Sequence, residues 1–111
     1  MRTMEDMAAM AAGIWAHYEN ACEKHPFFAD DLCSAMPMWE REARQCKELI
    51  SNKAKDGEKI MAHWVLLGEM YEIFDACCDG DIAQARYEVL DAIAVLLRMD
   101  DMLREMQGDR G

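Results

Sequence analysis

Residues 64–97 read WVLLGEMYEIFDACCDGDIAQARYEVLDAIAVLL, and this stretch decides the fold. Trp64 to Phe74 carries no charge but Glu69 and Glu72, and Val89 to Leu97 none but Asp91, with Glu88 directly before it. Both flanks are rich in Ala, Leu, Met and Glu, which favour helix, and no run in the chain reads as a strand. Between them Asp79-Gly80-Asp81 makes a tight turn: Gly80 suits the left-handed end of one helix, and Asp81 caps the next, with Gln84 as its capping-box partner. The expected unit is an antiparallel helical hairpin.

The acids match across that hairpin. Glu72 and Glu88 each lie eight residues from Gly80, and Glu69 and Asp91 each lie eleven. At 1.5 Å per residue the pairs stand at equal heights, roughly 12 Å and 16 Å from the turn. Residues three apart share a helix face, so four carboxylates converge in one patch. Unpaired charges are costly in apolar surroundings, and neither run holds a lysine or arginine. Oxygen-only ligands select a hard cation, magnesium or manganese. On the fourth helix Asp81, Gln84, Glu88, Asp91, Val95 and Arg98 form one stripe. Val89, Leu90, Ala92, Ile93, Leu96 and Leu97 lie on the other side and are expected to face the core. The competing reading makes the acids solvent-facing residues of ordinary amphipathic helices.

Outward from the hairpin the chain stays helical. A first helix is expected from about Thr3 to Lys24, where Met4, Met7, Ala8, Ala11, Ile14, Trp15, Tyr18 and Cys22 recur at helical spacing, and His25-Pro26 stops it. Phe27 to Pro37 connects, anchored by Phe27, Phe28, Leu32 and Met36. A second helix spans about Pro37 to Ser51, its outer face carrying Glu40, Arg41, Glu42, Arg44, Lys47 and Glu48. Asn52 to Asp56 breaks the pattern. The third helix is expected to be capped by Asp56 and to end near Cys78; the fourth ends near Met106. The reading is all-α, one domain over 1–107, with a frayed tail at 108–111.

The 111 residues carry 12 basic and 22 acidic side chains, a formal net charge of −10. That disfavours nucleic-acid polymers and anionic membranes as partners, since each needs a basic face. A nucleoside triphosphate remains compatible if a divalent cation offsets the repulsion. Five cysteines, without a C-x-x-C or zinc spacing, read as free thiols in a reducing cytosol. The amphipathic, acid-bearing start is not a signal peptide, and no apolar run reaches membrane-spanning length.

The run L-L-G-E-M-Y-E-I-F-D-A from Leu66, followed after Glu72 by fifteen residues and then E-V-L-D, resembles the MazG-like all-α nucleoside triphosphate pyrophosphohydrolases. Their signature is E-E-x-x-E followed by E-x-x-D. Glu69 and Glu72 fall on its second and third glutamates, and Glu88 and Asp91 on its E-x-x-D. Gly68 stands where the first glutamate would be, as in the dCTP-pyrophosphatase branch. The resemblance covers about residues 60–98. It implies a four-helix MazG-like bundle completed by homo-oligomerisation as a dimer or tetramer. It also implies magnesium (or manganese) held by Glu69, Glu72, Glu88 and Asp91, and cleavage of an NTP or dNTP to the monophosphate and pyrophosphate. Glu69 is the candidate to activate water.

Arg98, on the acid stripe, is a candidate phosphate contact. Lys59, clustered with Lys53 and Lys55, is another, with a solvated polar loop as the alternative. Trp64 is a candidate base-stacking residue, with core packing as the alternative; the same two readings apply to Trp15, Trp39, Tyr71 and Phe74. His17, His25 and His63 are too scattered for a ligand triad. The competing function is a non-catalytic helical oligomerisation or protein-interaction module with a relic metal site.

Overall fold

A computed structural model describes residues 2–26, 32 and 39–108. These form four helices and no strand: α1 (Met4–Lys24), α2 (Trp39–Lys55), α3 (Ala62–Cys78) and α4 (Ile82–Met106). The expected connector anchors Phe27, Phe28 and Met36, the start at Pro37, and residues 109–111 of the tail lie outside the described residues. Leu32, the remaining anchor, is exposed. The chain divides into two compact units, residues 1–31 and 32–111.

In the first unit α1 opens on a reciprocal capping box. The Thr3 hydroxyl accepts from the Asp6 backbone N–H at 3.1 Å, and the Asp6 carboxylate accepts from the Thr3 N–H at 2.9 Å. The helix ends at Lys24, before His25-Pro26. Its apolar face is exposed, and Trp15 and Tyr18 stack on each other with ring centres 5.6 Å apart.

In the second unit α3 packs against α2 on one side and α4 on the other. Apart from Glu88, the buried positions are small: Ala43 and Cys46 on α2, Gly68 and Ala76 on α3, Ala85 and Ala92 on α4. Small side chains let helices approach closely. A Cβ added at Gly68 would stand 3.4 Å from the Cys46 Cβ. Trp39, Tyr71 and Phe74 pack together where α2 meets α3, the Trp39 ring 6.0 Å from Tyr71 and 4.8 Å from Phe74.

Three local expectations are corrected. First, α2 continues through Asn52 to Lys55 instead of stopping at Ser51. Lys53 and Lys55 favour its negative end, and Gly57, at φ +69°, closes it. Gly57 N–H donates to Ala54 O (3.1 Å) and Glu58 N–H to Lys53 O (2.9 Å), the paired bonds of a glycine helix stop. Second, Asp56 therefore does not cap α3, which starts at Ala62 after Met61, without a side-chain cap. Third, the capping box at Asp81 is half made. Asp81 accepts from the Gln84 N–H at 3.1 Å, but its own N–H donates to Ala76 O at 3.0 Å. That bond belongs to the turn at Gly80 (φ +76°), and the Gln84 side chain is left to go elsewhere.

The orientation of α4 also differs. Of the stripe expected to face the core only Ala92 is buried; Val89, Leu90, Ile93 and Leu96 are exposed. The acid stripe is the one turned toward α3, and Glu88 is the only buried charged side chain among the described residues.

Candidate functional site

The hairpin brings three of the four acids into one group and leaves Glu72 beside it. Carboxylate oxygens of Glu69 on α3 and of Glu88 and Asp91 on α4 lie within 4.8 Å of one another. Glu88 is 8% exposed, whereas Glu69 and Asp91 are half-buried, so the solvent-facing reading does not describe Glu88. Glu72 stands one helical turn from Glu69, toward Gly80, and shares a hydrogen bond with Glu88. Its Oε1 also lies 3.0 Å from the Lys47 ammonium.

Charge in this patch is unevenly distributed. Burial, aided by a hydrogen bond to Glu88 and the charges of Glu72, Glu88 and Asp91, pushes the Glu69 carboxyl up to about 7. Burial and the hydrogen bond to Glu88 also raise Glu72, against the opposing pull of Lys47. Burial would raise Glu88 too, but hydrogen bonds from Glu72, Gln84 and Glu69 outweigh it and hold Glu88 below its ordinary value. Lys47 is raised by its bond to Glu72. Glu69 is thus the acid of the group that carries a proton through much of the range up to neutrality.

Glu69 Oε2 and Glu88 Oε2 are buried with no hydrogen-bond partner among the described residues. Buried polar atoms are nearly always paired, and ionised carboxylates only accept. Such oxygens call for a hydrogen-bond donor or a cation. An all-oxygen donor set from Glu69, Glu88 and Asp91 suits a hard divalent ion, so the residues present fit magnesium or manganese.

Two participants were missed from the sequence. Gln84 donates from Nε2 to Glu88 Oε1 at 2.6 Å; its place four residues before Glu88 was the signal, obscured by its capping role. Lys47 was placed on the outer face of α2. Its position beside buried Cys46 and one turn after buried Ala43 carries it to the edge of the α3 contact, where it reaches Glu72.

The other candidates are not drawn in by any contact among the described residues. Arg98 is exposed, two turns beyond Asp91 on α4. Lys59 is exposed in the α2–α3 connection, where neighbouring Lys53 pairs with Glu58 at 3.0 Å. Trp64 is half-buried near the start of α3, its ring centre 5.1 Å from that of His63. Gly68 faces Cys46 and Ile50 of α2.

No protein-family model, no curated protein and no solved structure matches this chain. No helix among the described residues is long and apolar enough to cross a membrane.

Proposed function

We propose that the chain is a magnesium-dependent nucleoside triphosphate pyrophosphohydrolase, converting an NTP or dNTP to its monophosphate and pyrophosphate. It would act in the reducing cytosol as a homodimer or homotetramer. The observation that carries the proposal is the Glu69, Glu88 and Asp91 cluster with its two buried, partnerless oxygens. The triphosphate substrate rests on the resemblance of G-E-x-x-E and E-x-x-D to the MazG-like signature. Glu69, Glu88 and Asp91 would hold the cation, with Glu72 beside them. When bound, the metal would act as Lewis acid and template for the phosphates. The chain's own residues divide the remaining work. Gln84 orients Glu88 through its 2.6 Å hydrogen bond. Lys47 holds Glu72 at the margin of the cluster. Glu69, whose proton leaves near neutrality, is the group best placed to take a proton from water.

One observation favours the alternative, a non-catalytic helical module. Lys47 and Gln84 satisfy oxygens of two of the four acids without any metal. A panel of nucleoside triphosphates with and without magnesium separates the two. The expected result is equal amounts of monophosphate and pyrophosphate, dependent on the metal and lost in Asp91→Asn. Orthophosphate with a diphosphate would refute cleavage between the α and β phosphates. No turnover and no metal-induced rise in melting temperature would favour the module.

A further inference from the structure

α4 turns its acids inward and its large hydrophobics outward. Ile82, Val89, Leu90, Ile93, Leu96 and Leu103 are 41–65% exposed. At about 100° per residue they share one stripe with Arg86 and Asp100. Positions 82, 86, 89, 93, 96, 100 and 103 alternate steps of four and three, the spacing of a helix-pairing seam. Contiguous apolar surface of this extent marks an interaction site. Glu88 and Asp91 lie roughly 140–160° around the helix from Ile93, the centre of the stripe.

The seam's two charged positions identify the occupant. Arg86 and Asp100 have opposite signs and stand seven residues to either side of Ile93. If α4 lies antiparallel on a second α4 about a two-fold axis at Ile93, Arg86 meets the partner's Asp100 at both ends. A parallel pair would instead set like charge against like. Seven residues span roughly 10 Å. At a crossing angle of about 20° the helices have diverged by only about 4 Å there, within reach of an arginine and an aspartate. A shallow groove lined by Ala83, Arg86, Tyr87, Val89 and Leu90 flanks the seam. Isologous pairing of this kind repeats each contact twice.

We propose that the outer face of α4 is a self-association surface, on which a second copy of this chain docks antiparallel across Ile93. The proposal rests on the homo-oligomer part of the reading above and not on its chemistry.

Light scattering at micromolar concentration tests it, with helix content followed by circular dichroism. The wild-type chain should have at least twice the 12.7 kDa chain mass. Arg86→Glu alone and Asp100→Arg alone should each halve the wild-type mass, because both ends of the seam become repulsive. Mixed in equal amounts, the two variants should regain it, since each then supplies the charge the other lacks. Ile93→Asp, an exposed substitution at the proposed axis, should give the halved mass with helix content unchanged. A wild-type mass of 12.7 kDa would overturn this proposal together with homo-oligomerisation. A wild-type dimer or tetramer whose mass is unmoved by Ile93→Asp would overturn the α4 surface alone. A mixture of the two charge variants that stays at the halved mass would overturn the antiparallel register.

Discussion

Replacing Glu69 by glutamine should stabilise the metal-free protein at alkaline pH and leave it nearly unchanged in acid. The Glu69 carboxyl is raised from its ordinary 4.5 to about 7 by burial, by its bond to Glu88 and by the acids around it. Between those values the folded chain keeps a proton that the unfolded chain has released. Stability from this group is therefore full below about pH 4.5 and is lost as pH rises through about 7. The difference is about 2.5 pH units (7 − 4.5). At 1.36 kcal/mol per unit it sets an upper limit of about 3 kcal/mol, which partial exposure reduces to about 1–2 kcal/mol. Glutamine is neutral at every pH, keeps the shape, and offers an N–H donor to the buried Glu88 Oε2 that has no partner. Urea denaturation in EDTA should show Glu69→Gln more stable than wild type by about 1–2 kcal/mol near pH 8.5, and within about 0.5 kcal/mol near pH 5. Magnesium should reverse the order. A ligand at a hundred times its dissociation constant stabilises a folded protein by about 2.7 kcal/mol, and the variant, short of one anionic ligand, should gain less. A Glu69→Gln protein less stable than wild type at both pH values would show that the Glu69 charge is satisfied in the folded chain. The cluster would then be a finished structural network, and the metal reading would fall with it.

Two further outcomes test the packing around the site. Gly68→Ala should change stability by no more than about 1 kcal/mol, because the gain in helix propensity comes with only ordinary contact at 3.4 Å from Cys46. Gly68→Glu, which restores the MazG-like signature, should cost about 2 kcal/mol or more by driving a carboxylate toward Cys46 and Ile50; chemical denaturation reads both. The Cys46 thiol is buried and raised by burial and by the charges of Glu42 and Glu72. Alkylation followed by mass spectrometry should therefore modify exposed Cys22 and Cys78 well before Cys46.

What was legible in the sequence is what local chemistry determines. The turn at Gly80 needs a residue that tolerates positive φ, and Asp81 needs only the Gln84 N–H three residues on. Both are short-range facts, and they set the hairpin. Once the hairpin is set, equal spacing from Gly80 brings Glu69 to Asp91 and Glu72 to Glu88 without reference to the rest of the chain. The misplaced end of α2 came from treating the polar run from Asn52 to Asp56 as a break. Its residues tolerate helix, and it is Gly57 that ends it. Lys47 was out of reach for a different reason. Its contact with Glu72 depends on which face of α2 meets α3, and that is decided by Ala43, Cys46 and Gly68 together, a tertiary fact that no window of residues contains.

The inverted orientation of α4 follows from a competition that hydrophobic periodicity does not weigh. Periodicity assigns the richer apolar stripe to the core, and on α4 that stripe is Val89, Leu90, Ile93 and Leu96. Yet the contact with α3 is lined by Ala85 and Ala92, whose size permits close approach, and the same face carries Glu88 and Asp91. A helix that turns Glu88 and Asp91 toward α3 leaves Leu90 and Ile93 on the far side of the cylinder. The large residues are then left for another surface. The acid cluster and the proposed seam are accordingly two consequences of a single rotational choice. That choice separates them in experiment: Glu69→Gln and Asp91→Asn act on one side of α4, Ile93→Asp and Arg86→Glu on the other. If changes on the outer side altered metal-dependent stability as strongly as changes on the inner side, the two faces would not be independent, and the division of α4 into a site and a seam would have to be abandoned.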